Sequence, residues 1–169
     1  RHGLGEVGRP PYALSPCQEC LDTHYTAAGG LMAEAAFQDP AMASVTRVAA
    51  VGCRHVGMFF DPQTHTDRGL PFSVAIEGLL SGMAEAERSL GVTSKLILSY
   101  LRHLSEEDAF KTLREAEPYL DRIVGVGLDS SELGHPPSKF ARVYKASRER
   151  GLKLPAHAAE EGPREYVWG

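Results

Sequence analysis

The stretch that decides the fold of this chain is His-Val-Gly-Met-Phe-Phe-Asp-Pro-Gln-Thr-His-Thr-Asp-Arg-Gly, which spans His55–Gly69. Its first six residues predict a short buried strand, and the polar residues after Phe60 predict a loop. Pro71 then opens a segment with helical spacing that runs to about Leu90. A strand, a polar loop and a helix in this order form the repeating unit of a parallel sheet with helices outside it.

The same unit recurs toward the C-terminus. Further strands are predicted for Lys95–Leu101, Ile123–Leu128 and Leu152–Ala158. Polar residues, glycine or proline follow each strand, as they do in the loops that build the active sites of β/α barrels. Four strands are about half of the eight that close such a barrel. The predicted fold class is therefore α/β, either as a partial (β/α)8 TIM-type barrel or as a small open sheet.

Helix signals lie between these strands. Ser105 is a predicted N-cap, and the acids after it suit the first turn of a helix that reaches about Tyr119. A later helix is predicted from about Ser138 to Arg150, with Gly151 at its C-terminal cap.

The N-terminal part of the chain has weaker signals. Residues 1–15 are rich in glycine and proline and predict an irregular segment. A helix is predicted from Cys17 to about Met32, and a second one over Ala41–Val51, with Asp39 as its N-cap and Pro40 at its first position. We therefore expect an irregular segment over 1–15 and a partial barrel domain over 16–169.

Composition excludes several classes of partner. The chain has 169 residues and a formal net charge of -4, so it lacks the basic footprint of a protein that binds nucleic acid or an anionic membrane. No apolar run approaches the roughly 20 residues of a membrane span. Three cysteines do not suggest a disulfide framework, so a cytoplasmic location is expected.

The most chemically informative stretch is Pro-Ala-His-Ala-Ala-Glu-Glu-Gly-Pro over Pro155–Pro163. It places His157 at the end of a predicted strand and Glu160 three residues later. A histidine that binds a metal and a nearby acid that does not are what zinc-assisted hydrolysis requires, because the metal acidifies a water and the acid moves its proton. The pattern predicts His157 as a metal ligand and Glu160 as the catalytic acid.

Other strand-end residues allow two interpretations. Asp129, Ser130, Ser131 and Glu132 form either a loop that caps a helix or the wall of a ligand pocket. His65 with its neighbouring acids could bind a metal, although a solvated loop is favoured. Arg102 and His103 are predicted to hold a loop by hydrogen bonds.

A separate motif, Pro-Cys-Gln-Glu-Cys, spans Pro16–Cys20 and contains Cys17 and Cys20. It matches half of the zinc site of cytidine deaminases. No His-x-Glu precedes it, so two cysteines that face a core are favoured over a stand-alone zinc module.

Four strand-end segments together resemble the adenosine/adenine deaminase family of metal-dependent hydrolase barrels. They are Phe59–Gly69, Leu98–Glu107, Val126–Phe140 and His157–Pro163. The first and the third are most similar to the adenine deaminase branch, which acts on the free base. The resemblance is strong from about Arg54 to Trp168 and weaker from about Cys17.

The resemblance implies a partial TIM-type barrel and one zinc ion per intact family member. It implies that His157 is one of the zinc ligands and that Glu160 protonates the purine, so that adenine and water give hypoxanthine and ammonia. It also implies a small-molecule purine as the partner. Residues that line its pocket are then Asp61, Leu101, Asp129, Ser130 and Ser131.

The chain also departs from the family pattern. It contains no His-x-His, the pair that supplies two further zinc ligands in the family. Ala159 stands where the family usually has glycine, which predicts strain if the backbone needs a positive φ, and Gly57 stands where the family usually has glutamate. We therefore expect an internal fragment that is inactive by itself. The alternatives are a deaminase for adenosine and a non-catalytic remnant that binds or self-associates through uncovered barrel edges.

Overall fold

The computed structural model describes Gly30 and residues 33–168. The helices are α1 (Glu34–Ala50), α2 (Gln63–Thr66), α3 (Phe72–Leu90), α4 (Glu106–Ala116) and α5 (Ala141–Glu149), and the strands are β1 (His55–Phe60), β2 (Thr93–Leu101) and β3 (Ile123–Asp129). Short 3-10 turns cover Glu117–Tyr119, Pro137–Phe140 and Arg164–Val167. The predicted irregular segment 1–15 lies outside the described residues, as does nearly all of the predicted first helix.

The three strands form one parallel sheet in the order β1-β2-β3. Phe59 pairs with Ile97, and Leu98 pairs with Val126. Leu96, Leu98 and Tyr100 alternate along β2 and belong to the main core cluster with residues of the helices. Because the strands are parallel, their carboxyl ends meet at one edge of the sheet, and the predicted α/β class is confirmed.

The predicted fourth strand, Leu152–Ala158, was wrong in its extent. Only Lys153 joins the sheet, through a single bridge to Gly125. The Lys153 N–H donates to the Val124 carbonyl at 3.0 Å, and the Lys153 carbonyl accepts from Val126 at 2.8 Å. The next ladder bond would need an N–H from Pro155, which has none, so regular pairing is interrupted there, and the His157 N–H then donates to the Leu128 carbonyl at 3.4 Å.

The predicted start of α1 was also wrong. The helix begins at Glu34, so Asp39 and Pro40 lie inside it and do not cap it. Proline removes one hydrogen bond from the helix. The helix continues through it because the buried residues Phe37, Ala41 and Val45 recur every four positions and share one face.

That face packs closely on α3 at two glycines. A Cβ added at Gly78 would lie 2.3 Å from the Glu34 carbonyl oxygen, and one at Gly82 would lie 2.4 Å from that of Gln38. The two helices therefore pack backbone against backbone. None of the helices in the described part of the chain is both long enough and apolar enough to cross a membrane.

Candidate active site

The carboxyl edge of the sheet brings several predicted site residues together. Asp61 directly follows β1, Ser99 lies near the end of β2, and Asp129 is the last residue of β3. His157 lies beside them, with its Nδ1 at 3.7 Å from Oδ1 of Asp129. Four chain segments that are far apart in sequence thus contribute polar groups to one place.

Asp61 has an unusual environment. Burial raises its pKa to about 7, and the negative charge of Asp129 adds to this effect, while Ser99 and His157 oppose it. Within the described residues, Oδ1 of Asp61 and Oγ of Ser99 are buried and have no hydrogen-bond partner of ordinary geometry, although Ser99 lies close enough to favour the charged form of Asp61. A carboxyl that can hold a proton near neutral pH, beside unpaired polar atoms at the end of parallel strands, is typical of a functional site.

His157 is oriented by the backbone of β3. Its Nδ1 lies 3.0 Å from the Leu128 carbonyl oxygen, which can only accept, so Nδ1 carries the proton. Nε2 is then left with its lone pair, and this is how metal-ligating histidines are usually held. The imidazole is 46% exposed and lies against the Phe59 ring, with ring centroids 5.5 Å apart. These observations fit the prediction that His157 is a metal ligand.

The described residues do not complete a metal site around it. Between Ala33 and Trp168, no group of three or more histidine, cysteine, aspartate or glutamate side chains is arranged to hold a metal ion. A catalytic zinc normally needs three protein ligands. His157 therefore fits as one ligand only, and no step through a metal follows from this chain.

The segment after His157 carries Glu160 at an exposed position. Ala159, just before it, has φ 61, which is a left-handed conformation that favours glycine. The strain predicted for alanine at this position is therefore present. The catalytic role of Glu160 itself stays a prediction.

Arg102 holds the backbone at His157 by a hydrogen bond, and the sequence predicted a loop-holding role of this kind for it. Its side chain is fully buried, its Nη1 donates to the His157 carbonyl at 2.8 Å, and its Nε donates to the His135 carbonyl at 2.9 Å. Nη1 also lies 3.9 Å from Oε1 of the buried Glu132. The sequence left Glu132 open between a capping loop and a pocket wall, and in the structure its carboxylate accepts from the backbone of the segment that carries Glu160.

Ser130 and Leu101 are mainly occupied with local contacts. Ser130 has φ 78, its N–H donates to Oδ1 of Asp129 at 2.7 Å, and its hydroxyl lies 2.7 Å from Nδ1 of His103. Leu101 is 3% exposed and donates its N–H to the Gln63 side chain, yet it also lines a cavity of about 210 Å³ with His103. Ser131 is half-buried. These residues lie at the carboxyl edge of the sheet, as His157 does, and their role in binding the purine stays a prediction.

The structure favours the solvated-loop interpretation for Asp67 and a core position for His65. Asp67 is exposed, whereas the imidazole of His65 is buried. The ring contacts Phe37 edge-on with centroids 4.7 Å apart, and its Nδ1 lies 2.9 Å from Nη2 of Arg68. An imidazole engaged in this way is poorly placed to bind a metal together with Asp61.

Comparison with known proteins decides the family. Residues 15–169 match the family described as adenosine deaminase. This chain belongs to the adenosine deaminase family. Among family members, an adenine deaminase of Caulobacter vibrioides is 61% identical over 160 residues, which are 95% of this chain and 46% of that protein. The chain thus spans about half the length of the curated relatives that it matches.

Solved structures agree with this assignment. The crystal structure of an adenine deaminase from Arthrobacter aurescens is similar with a TM-score of 0.88 and 37% identity, over 95% of this chain and 52% of that one. An amidohydrolase from Burkholderia ambifaria with bound Zn is similar with a TM-score of 0.77 and 27% identity, over 81% of this chain and 38% of that one.

Two predictions are thereby confirmed: the partial TIM-type barrel and the resemblance to the adenine deaminase branch. The bound Zn of the Burkholderia protein supports a metal cofactor for the family. Cys17 and Cys20, the basis of the alternative zinc module, lie outside the described residues. The predicted division of the chain at residues 15 and 16 stays a prediction.

Proposed function

We propose that the whole protein is a zinc-dependent hydrolase that deaminates adenine. Adenine and water are converted to hypoxanthine and ammonia. The observation that carries this proposal is the geometry of His157, whose Nδ1 is held by the Leu128 carbonyl so that Nε2 is presented at the carboxyl edge of the sheet. The similarity to adenine deaminases supports the free base as the substrate.

The roles of the residues follow from their places. His157 would be one ligand of the zinc, which supplies an acidified water when it is bound. Glu160 would transfer a proton to a ring nitrogen of adenine, because it is the exposed acid three residues beyond that ligand. Asp61, Leu101, Asp129, Ser130 and Ser131 would face the purine from the ends of the neighbouring strands.

The test is adenine turnover by the whole protein, followed by ammonia release, with adenosine as the comparison substrate. We expect adenine to be preferred, and Glu160→Gln to lower kcat by about 10²–10⁴-fold, the usual contribution of a general acid. Glu161→Gln is the matched control, since it makes the same chemical change one residue further along, and it should stay within about twofold of wild type. Equal losses in the two variants would contradict the role of Glu160, and adenosine turnover without adenine turnover would contradict the substrate.

Two further predictions belong to this proposal. A cytoplasmic location is inferred from the use of the three cysteines. For this chain by itself, self-association is inferred from β1, an edge strand of the described sheet whose Phe59 is 46% exposed. Size-exclusion chromatography over a range of protein concentrations tests the second, and a constant monomer mass would contradict it.

A further inference from the structure

Glu132 is a buried carboxylate that binds four consecutive backbone N–H groups. Its side chain is almost fully buried. Oε1 accepts from Ala159 at 2.6 Å, and Oε2 accepts from Glu160, Glu161 and Gly162 at 2.8, 2.8 and 2.9 Å. Four converging N–H groups form an anion-binding nest, here filled by a side chain of the same molecule.

Gly162 makes this close approach possible. A Cβ at this position would lie 2.8 Å from Cδ of Glu132 and 2.7 Å from Cδ2 of Tyr166. Both distances are shorter than carbon atoms tolerate, so any side chain at this position would force Glu132 or Tyr166 to move. The sequence around the carboxylate is thus adapted to the contact.

Arg102 links Glu132 to the residue His157, which precedes the nest. Arg102, fully buried, lies 3.9 Å from Oε1 of Glu132 and donates to the His157 carbonyl at 2.8 Å. The Arg102–Glu132 pair therefore holds the segment 157–162 at both ends. One end carries the predicted metal ligand, and the other carries the predicted acid.

The charge state of Glu132 agrees with this role. Burial alone would raise its pKa, but the N–H groups of Gly162, Glu161, Ala159 and Glu160 outweigh burial and lower the pKa below its usual value. The side chain is thus an anion at neutral pH. As an anion it can accept all four hydrogen bonds, which a neutral amide cannot do.

We propose that Glu132 is a positioning residue of the deaminase site, which fixes the backbone of residues 157–162 so that His157 and Glu160 keep a constant relation to each other. This inference rests on the proposed function. Glu132 acts through the backbone and does not touch the reacting atoms. The hydrogen bonds to Glu132 are needed because Ala159 has a left-handed backbone, which is unfavourable for alanine and would otherwise relax to a negative φ.

The test is Glu132→Gln in the whole protein, with Glu161→Gln as the matched control in the same segment. The amide of Gln has one acceptor oxygen, which can replace Oε2 for at most three of the N–H groups, and its NH2 then faces the Ala159 N–H and the nearby Arg102 guanidinium, two donors that it cannot accept from. We expect backbone hydrogen exchange at 159–162 to be at least about tenfold faster, by analogy with other supporting contacts of metal sites. Zinc affinity, measured by competition with a chelator, and kcat for adenine should each fall by about 10–100-fold. KM should change less than kcat, since the predicted pocket residues lie outside the segment 157–162 that Glu132 holds.

A second variant keeps the inference falsifiable where Glu132→Gln does not fold. Gly162→Ala pushes a methyl group against the carboxylate and leaves every charge in place. It should accelerate exchange at 159–162 and lower kcat in the same direction. Wild-type exchange, zinc affinity and kcat in a folded Glu132→Gln or Gly162→Ala protein would overturn the inference.

The two proposals can fail separately. Wild-type protein that shows protected amides and no adenine turnover would contradict the proposed function, while the exchange measurements still decide whether Glu132 holds the segment. Adenine turnover that is unchanged in both variants would contradict the positioning role alone.

Discussion

Glu106 caps a helix to which it does not belong, and its replacement should destabilise the fold. It lies in the first turn of α4, but its Oε1 accepts the N–H groups of Arg142 and Val143 at 2.7 and 2.9 Å. These are the second and third residues of α5, whose own N-cap residue, Phe140, provides no side-chain cap. Glu106→Ala therefore leaves the start of α5 without its acceptor.

The expected magnitude follows from these contacts. Hydrogen bonds to a charged acceptor contribute about 1.5–3 kcal/mol each, and loss of a helix N-cap costs about 0.5–2 kcal/mol. Glu106 is 9% exposed, so water is a poor substitute for its carboxylate as the acceptor for these N–H groups. Its ion pair with Arg142 adds little to the free energy of unfolding, because the Arg142 side chain is mainly exposed. We expect Glu106→Ala to lower the free energy of unfolding by about 2–4 kcal/mol. Glu106→Gln should cost about half as much, because the amide oxygen can still accept.

Urea unfolding of the purified protein, followed by circular dichroism, measures this difference. Glu107→Ala is the matched control, because Glu107 is the next residue, its side chain is 72% exposed, and among the described residues its carboxylate pairs only with the Arg142 guanidinium. The control should cost less than about 1 kcal/mol. Equal losses for the two alanine variants would refute the capping role.

The pH dependence gives an independent check. Burial alone would raise the pKa of Glu106, but hydrogen bonds from Val143 and Arg142 outweigh it and lower the pKa below 4.5. A carboxyl group with a lower pKa in the folded state stabilises the fold above its unfolded-state pKa and loses this effect as the pH falls. The stability gap between wild type and Glu106→Gln should be constant near neutral pH and should close below about pH 4.5. A gap that does not change in acid would contradict this account.

Two backbone positions yield further predictions. Gly78→Ala should lower the free energy of unfolding by about 1–2 kcal/mol, because the cost of overpacking against α1 exceeds the gain from the higher helix propensity of alanine. Thermal melting tests this, with Glu87→Ala at an exposed position of the same helix as the control. An unchanged melting temperature of Gly78→Ala would refute it. Ala159→Gly should raise the free energy of unfolding by up to about 1 kcal/mol, because relief of the left-handed alanine exceeds the added chain entropy of glycine. Urea unfolding beside Ala158→Gly checks this, and a loss of stability in both variants would count against strain at Ala159.

The elements that sequence patterns predicted well are those determined by neighbouring residues. The prediction for β1 matched its observed bounds, and the predictions for β2 and β3 differed by at most two residues. The N-cap at Ser105 was predicted for the same reason, and the structure completes it to a capping box, in which the Ser105 hydroxyl accepts from the Asp108 N–H and the Asp108 carboxylate accepts from the Ser105 N–H. Contacts over three residues depend little on the rest of the fold.

The predictions that failed involved competition with distant residues. Pro40 is a good start signal for a helix, but the burial of Phe37 against α3 extends the helix beyond it. The apolar residues after Leu152 are typical of a strand, but Pro155 cannot donate to β3. In both places a local preference was overridden by packing or by a missing hydrogen bond to another element.

The candidate site divides in the same way. The sequence by itself determined the alternation of strands and helices and the family, and it predicted His157 and Glu160 as the chemical pair, because those features are encoded in residue type and short spacing. Only the tertiary structure decided that Leu128 orients His157 and that Glu132 holds the backbone around Glu160. Glu132 lies 27–30 residues before the N–H groups that it binds. Nothing local in the sequence marks such a contact, since it exists only once parallel strands bring their carboxyl ends to one edge.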